Sequence, residues 1–473
     1  MPSKGIDCYS YVAVEGCQIE FSVPGTTISK DQLRQFGQDH LEVDKEELSG
    51  AFNFSGTFSF RVTHNGNQIA EESIAINVIT GNLENGNLRS MENTQSVVTE
   101  EAIVTYGFYD APDAITHQGC AGLPKSDQCW VSVGPNYSSW MGQIAPPESP
   151  QADKPFSKFM LPAAHDVGMN SMQNSEMVLQ SDALIEVLTK INPIFAKVAG
   201  MMTSEAAKAI APNIVKGLAL TQKDTLPTIL SIGVRYFEFR PAYLHNEIRH
   251  CTGIPDELYF MHSAIPGMSY AQFLRELVDF LVQHPDEIAV VQLRWDGVPG
   301  ECAHPSDEDM NNYLQNALNT TDGAIVHGTL DDMLTKSTAQ LRAEQKRLIL
   351  FVNSDSFSTY TDAGNATING DSIIDEFNTL SREKQNGHPF TNLQCQATAT
   401  NIPEVVAFSV LNTNASSSCL LGTKPVCDSK TLPWIQNEGG RLVDGILVVV
   451  MNDFCDAGTS DVCVEWSRRR LEG

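Results

Sequence analysis

Seven short runs of almost unbroken apolar residues set the strongest limit on what this chain can fold into. They are Phe159-Met160-Leu161, Val234 to Phe239, Leu258 to Met261, Ile288 to Leu293, Leu348 to Val352, Val405 to Leu411 and Ile446 to Met451. A strand that is apolar on both faces must be covered on both, and such strands separated by helical segments indicate a parallel sheet. Seven or eight of them in about 300 residues predict a β/α (TIM-type) barrel, with an open doubly wound sheet as the alternative.

Ahead of these runs the periodicity changes. From Tyr9 to about Val78 apolar residues alternate, as in Phe58-Ser59-Phe60-Arg61-Val62 and Ile74-Ala75-Ile76-Asn77-Val78, and Asn65-Gly66 between them supplies a hairpin turn. Another β-like stretch covers Ala102 to Tyr109. The expectation is a smaller β-rich, sandwich-like domain over residues 1–145, with 79–100 as a polar loop or linker. Ala145-Pro146-Pro147-Glu148-Ser149-Pro150 marks the boundary, because proline resists both helix and sheet pairing. The barrel then occupies 146–473. Between its first two strands, Met169 to Thr221 carries Ile185, Leu188, Ile191, Phe195 and Val198 at helical spacing. This insertion is expected to pack on the barrel; a lid or lipid-contacting surface is the alternative.

A net charge of −27 over 473 residues repels nucleic acid and anionic lipid at long range. The cluster Ser467-Arg468-Arg469-Arg470 reads as a solvated tail. No stretch approaches the ~20 continuous apolar residues of a membrane span, so any membrane contact is expected to be peripheral. Eleven cysteines, with close pairs at Cys8/Cys17, Cys120/Cys129, Cys419/Cys427 and Cys455/Cys463, match no zinc-site spacing and point to disulfides in an oxidising compartment. The odd count leaves one thiol without a partner in the chain. Sequons at Asn53, Asn136, Asn319, Asn365 and Asn414 agree with a secreted glycoprotein, although Met1 to Ser10 shows no secretory leader.

In a β/α barrel the reactive side chains sit where strands end at the C-terminal face. Here the first predicted strand ends in Ala164-His165-Asp166, the second in Phe237-Glu238-Phe239-Arg240, the third in Met261-His262 and the fourth in Leu293-Arg294-Trp295-Asp296. Alternation puts Glu238 and Arg240 on one face, toward the barrel mouth. An inward ion pair explains such charges, and so does a phosphate site. Glu238 reads equally as an anchor for Arg240, and Arg294 with Asp296 equally as a local salt bridge or as substrate-binding groups.

These strand ends resemble the phosphatidylinositol-specific phospholipase C-like phosphodiesterases, a β/α-barrel family. "MLPAAHDVGM", "GVRYFEFRP", "YFMHS" and "FLRELVDFLVQHPDEIAVVQL" carry the resemblance over residues 155 to 300, and it extends more faintly to about 456. "SSWMGQI" upstream is similar to the approach to the barrel in secreted fungal members. The resemblance implies His165 as general base, His262 as general acid, Arg240 on the phosphate, Asp166 supporting His262, and Asp453 orienting His165, with Asn452 and Asp456 as competitors for that last place. Such chemistry needs a base for the attacking hydroxyl, an acid for the departing alkoxide and positive charge on the phosphorane.

Ala163-Ala164 replaces Gly-Thr before His165, Ser263 stands where glycine often follows the second histidine, and Glu238 replaces Asp. These departures bear on substrate fit. The family has calcium-dependent and metal-independent branches. Arg240 and Arg294 fall where the calcium branch carries carboxylates, which implies no metal, with Glu238 and Asp166 left as weak ligands for a divalent ion. The expected activity is cleavage of an inositol phospholipid or related phosphodiester. The alternatives are a catalytically silent barrel in a binding or adhesion protein and a metal-dependent glycerophosphodiesterase.

Overall fold

A computed structural model describes residues 5–79, 83–86, 94–111, 126–179, 182–191, several positions between 196 and 217, 219–250, 253–398 and 419–473. Its centre is a sheet of eight strands: β1 (Met160–Ala164), β2 (Tyr236–Phe239), β3 (Ala289–Leu293), β4 (His327–Gly328), β5 (Leu348–Val352), β6 (Phe357–Ser358), β7 (Phe390–Gln394) and β8 (Leu447–Asn452). All neighbours are parallel, in the order β4-β5-β3-β2-β1-β8-β7-β6. The sheet curls back on itself. Phe351 of β5 and Phe390 of β7 have four strands between them in the sheet, yet their ring centroids are 6.1 Å apart. Among the described residues β4 and β6 remain unpaired edges, so the barrel is open on that side.

Side chains of one parity fill the interior: Leu161, Ala163, Tyr236, Val290, Ile349, Phe351, Phe390, Leu447, Val449 and Met451 share one buried cluster. The opposite parity packs outward. Phe237, Phe239, Val291 and Leu293 meet Phe273, Leu274 and Leu277 of the helix Tyr270–Gln283.

Five of the seven apolar runs form β1, β2, β3, β5 and β8. The run Val405 to Leu411 lies outside the described residues. The run at Leu258 to Met261 requires a correction. It forms the strand Tyr259–His262, but in a separate antiparallel sheet with Pro241–Ala242 and Ile265–Ser269, and β2 pairs directly with β3. A four-residue apolar strand looks the same in either sheet, and only its partners distinguish them. β7, Phe-Thr-Asn-Leu-Gln, escapes the apolar pattern because its inward positions hold Asn392 and Gln394.

The β-rich unit has two five-stranded sheets around one core that includes Ile6, Phe21, Phe58, Phe60, Ile74, Val104 and Val131. The anticipated hairpin joins Ser55–His64 to Asn67–Asn77 through Asn65 (φ 50°) and Gly66 (φ 81°), the two left-handed residues that match the twist of the strands. This unit is fastened to the barrel through Asp461, which is fully buried and accepts from Tyr11 (2.6 Å), Tyr137 (2.5 Å) and Arg34 Nε (2.9 Å). In the insertion, the helix Asp182–Ile191 buries Leu184, Val187 and Leu188 in the core beside the barrel, while Phe195 and Val198 lie outside the described residues.

Three surface expectations change. The arginine cluster belongs to the helix Ala457–Glu472, where Ser467 is buried and Arg470 donates to the carbonyls of Phe159, Val443 and Ile446, so it is no solvated tail. Asn365 is buried and donates to Gln396 O, which closes it to a glycan. Cys8, Cys17, Cys129, Cys302, Cys395, Cys427, Cys455 and Cys463 are buried free thiols, so the Cys8/Cys17 and Cys455/Cys463 pairs are not bonded. Each occupies a core position as a small apolar side chain. Among the described residues no helix is long and apolar enough to cross a membrane.

Arg235 and Glu287 show how the motifs stabilise the barrel floor. Both are fully buried; Arg235 Nε donates to Glu287 at 2.8 Å, and its other nitrogens reach the carbonyls of Leu230, Val234, Tyr137 and Ser138. Removing one partner strands the other charge. Glu287→Ala is expected to lower stability by about 3–5 kcal/mol, read as a lower urea midpoint with an unchanged slope.

Candidate active site

The alternation that fills the barrel with apolar side chains also aims its polar ones. Continuing the inward parity past each strand end gives His165 after Ala163, Glu238 and Arg240 after Tyr236, Gln292 and Arg294 after Val290, and Asp453 after Met451. Asn452 therefore points outward, where its amide donates to Asp428 (2.9 Å) and Thr459 (3.0 Å). Asp456 is occupied as the N-cap of the last helix, accepting from Thr459 N at 3.0 Å.

At the mouth, Asp453 Oδ1 lies 2.8 Å from His165 Nδ1. His165 Nε2 and His262 Nε2 are each 3.8 Å from the same oxygen, Asp166 Oδ2. The other oxygen, Asp166 Oδ1, is 2.8 Å from Arg240 Nη2. Glu238 divides its carboxylate: Oε1 accepts from Arg240 at 2.7 and 3.0 Å, and Oε2 accepts from Arg294 Nη1 at 2.8 Å. Arg294 Nε also reaches the exposed Asp296 at 2.7 Å. Asp166 and Glu238 are buried, whereas His165, His262 and Arg294 keep 23%, 32% and 30% of their side chains open to the mouth, so those three can meet a ligand without rearrangement.

His262 arrives from the separate antiparallel sheet, and close backbone approach brings it in. Met268 N donates to Gly168 O at 2.7 Å. A Cβ on Gly267 would lie 2.2 Å from Gly168 O, and one on Gly168 would lie 2.2 Å from Phe260 Cβ. Only glycines permit this contact between the loop after β1 and the hairpin that carries His262.

Three of the reactive residues are followed or joined by left-handed backbone. Asp166 (φ 44°) follows His165, Ser263 (φ 56°) follows His262, and Phe454 (φ 45°) follows Asp453. For a non-glycine residue this conformation costs roughly 1–2 kcal/mol, and it persists where surrounding contacts hold it. A glycine at position 263 would adopt that turn freely, whereas Ser263 takes it at this cost.

The charges set opposite tendencies on the two imidazoles. Burial depresses His165, but Asp166 and Asp453 outweigh it and raise its pKa to about 9. Burial lowers that of His262, with Arg240 and His165 adding to the effect against Asp166. Burial would raise Asp166, yet Arg240 and the two histidines bring it down to about 2. At neutral pH these opposite tendencies favour a cationic His165 and a neutral His262, beside an ionised Asp166 and an ionised Arg240.

No family model matches the chain. A stretch of 159 residues, 33% of the chain, is 26% identical to PI-PLC X domain-containing protein 1 of zebrafish (Danio rerio), and the chain spans only 43% of that protein's length. Among solved structures, the chain is similar to the phosphatidylinositol-specific phospholipase C of Listeria monocytogenes, with a TM-score of 0.42 and 13% identity over 70% of this chain and 98% of that one. A mutant of the Staphylococcus aureus phosphatidylinositol-specific phospholipase C gives a TM-score of 0.40 and 13% identity over 70% of this chain and 96% of that one.

One contributor to the site had no sequence signal. Gln222, in the polar run Thr221-Gln222-Lys223-Asp224, donates to the carbonyls of His165 and Asn452, both at 3.1 Å. A short polar stretch before a helix reads as a surface loop, and only the burial of all four residues shows otherwise.

Because the pKa of His165 is raised on folding, its charged form contributes stability that is full below about pH 6.5 and is lost as pH rises through about 9. Proton NMR should find one imidazole, assigned by His165→Gln, titrating near 9. Asp453→Asn should move it toward the ordinary histidine value, and an unmoved titration would show that Asp453 does not hold the charge.

Proposed function

We propose that this chain is a phosphoric diester hydrolase that cleaves an inositol phospholipid or a related head group by attack of a neighbouring hydroxyl, using His165 and His262 as its acid-base pair. The observation that carries this reading is the shared carboxylate: two imidazole Nε2 atoms stand 3.8 Å from one oxygen of Asp166, with the Arg240 guanidinium 2.8 Å from the other. Two proton-transfer groups beside one fixed cation are what transesterification of a phosphodiester requires.

His165, backed by Asp453, takes the proton of the attacking hydroxyl as its oxygen bonds to phosphorus. Arg240 stabilises the charge that gathers on the non-bridging oxygens, with Arg294 as a second cation beside it. His262 gives a proton to the leaving alkoxide as its bond to phosphorus breaks, and a cyclic phosphate results. In the second step the roles reverse and water opens the ring. These roles place the proton on His262 during the first step, whereas the free site holds it mainly on His165; Asp166, equidistant from both, stabilises either arrangement. The apparent pKa values then belong to the pair rather than to one ring.

Both oxygens of Glu238 and one of Asp166 are engaged by arginines, so a divalent ion held by these two carboxylates together would have to displace a guanidinium, and we assign the electrophilic role to Arg240 rather than to a metal. The resemblance of the sequence motifs and the PI-PLC X name of the zebrafish relative support an inositol phospholipid or a related head group as the substrate class. A lipid substrate of this kind also entails peripheral contact with a membrane surface.

His165→Ala and His262→Ala should each lower kcat by about 10²–10⁴-fold. A substrate with a p-nitrophenol leaving group needs no acid, and should restore turnover to His262→Ala but not to His165→Ala. Restoration of the His165 variant instead would exchange the two roles, and full activity in both would refute the site.

A further inference from the structure

The four residues that close the insertion contact two places at once. Met169 O accepts from Thr221 N (3.2 Å) and Gln222 N (3.3 Å), which pins the two ends of the 169–221 insertion together at the mouth. Thr221 and Gln222 then hold the loops that follow β1 and β8. Thr221 Oγ1 donates to Asp166 O at 3.0 Å, and Phe454 N donates to Thr221 O at 2.7 Å, so both left-handed residues beside the His165–Asp453 pair are secured by one residue. Gln222 Nε2 bridges the carbonyls of His165 and Asn452, and Gln222 Oε1 accepts from Cys455 N at 3.0 Å.

The next two residues face the β-rich unit. Lys223 Nζ donates to Thr94 O and lies 3.3 Å from Ser96 Oγ, while its own carbonyl accepts from Gln95. Asp224 accepts from Ser96 N at 2.7 Å and from Ser96 Oγ at 2.8 Å. Ser96 immediately precedes the edge strand Val97–Val98 of one of the β sheets. All four clasp residues are at most 4% exposed, so water does not compete for these bonds.

We propose that Thr221–Asp224 is a clasp that sets the His165–Asp453 geometry, with Gln222 as its positioning residue, and that the β-rich unit acts on the site through it. The inference rests on the proposed function for its kinetic consequence, but its structural consequence is independent of substrate. Loss of the Gln222 bridge leaves the direct bond from His165 N to Asn452 O (3.1 Å) in place but loosens the loops that follow the two strands, which lengthens the Asp453–His165 hydrogen bond. Misplacement of a base by about 1 Å is worth roughly 100-fold in rate.

The test uses the full chain. Gln222→Ala is expected to lower kcat about 10- to 100-fold at nearly constant KM and to move the NMR titration of His165 down from about 9. Gln222→Met keeps the side-chain volume but loses both donations and the acceptor, and should behave as the alanine variant does; it serves if the alanine variant does not fold. Ser96→Ala, on the β-rich side, should shift the titration in the same direction by less. A folded Gln222 variant with unchanged kcat and unchanged His165 titration overturns the clasp. A shift in the Gln222 variants without one in Ser96→Ala overturns the role of the β-rich unit alone. If wild-type protein cleaves no phosphodiester, the function proposed above fails while the His165 titration still decides the clasp.

Discussion

Asp166 is a fully buried carboxylate that faces two imidazoles and a guanidinium, and the rest of the site is arranged around keeping it ionised. A lone buried carboxylate would take up a proton; Arg240 prevents that, and Arg240 is in turn held by Glu238, whose second oxygen holds Arg294. The result is a chain of alternating charges, Asp166, Arg240, Glu238, Arg294 and Asp296, running from the centre of the mouth to its exposed edge. Removing Arg240 leaves the buried Asp166 without its guanidinium, and removing Glu238 takes one partner from each arginine, so the array is both a structural unit and the source of the field at the histidines.

That arrangement explains why strained backbone accompanies the site. Each reactive residue must leave its strand abruptly to face the centre, and Asp166, Ser263 and Phe454 make those turns in left-handed conformation. The cost is met by contacts elsewhere: Thr221 on two of the turns, and the Gly168–Gly267 approach beneath the third. Thr221, at the end of the insertion, thereby takes part in shaping the mouth.

Period and parity were sufficient to read much of this from the sequence. Apolar runs located five strands of the barrel, and alternation placed Glu238 and Arg240 inward. Extending that parity to β8 distinguishes Asp453 from Asn452, but this requires knowing where the strand begins, which the apolar run alone does not fix. What was illegible depended on partners. His262 lies in a sheet separate from the one its sequence suggested, because β2 pairs with β3 past it. Gln222 acts through side-chain bonds to main-chain carbonyls, which leave no periodic trace. The cysteine spacings suggested disulfides, yet Cys8 and Cys17 fall on strands of two different sheets as separate core side chains. Arg470 looked like a tail residue because four carbonyls that bind it come from segments distant in sequence.

The central claim is that His165 and His262, set on either side of Asp166, carry out intramolecular phosphodiester cleavage without a metal. Phosphorus-31 NMR of the purified protein with phosphatidylinositol vesicles, in the presence of a chelator, tests it most directly. The account predicts a five-membered cyclic inositol phosphate that appears first, is hydrolysed more slowly and is absent with His165→Ala. Direct formation of an open phosphomonoester that ceases in chelator, or no conversion at all, would contradict it.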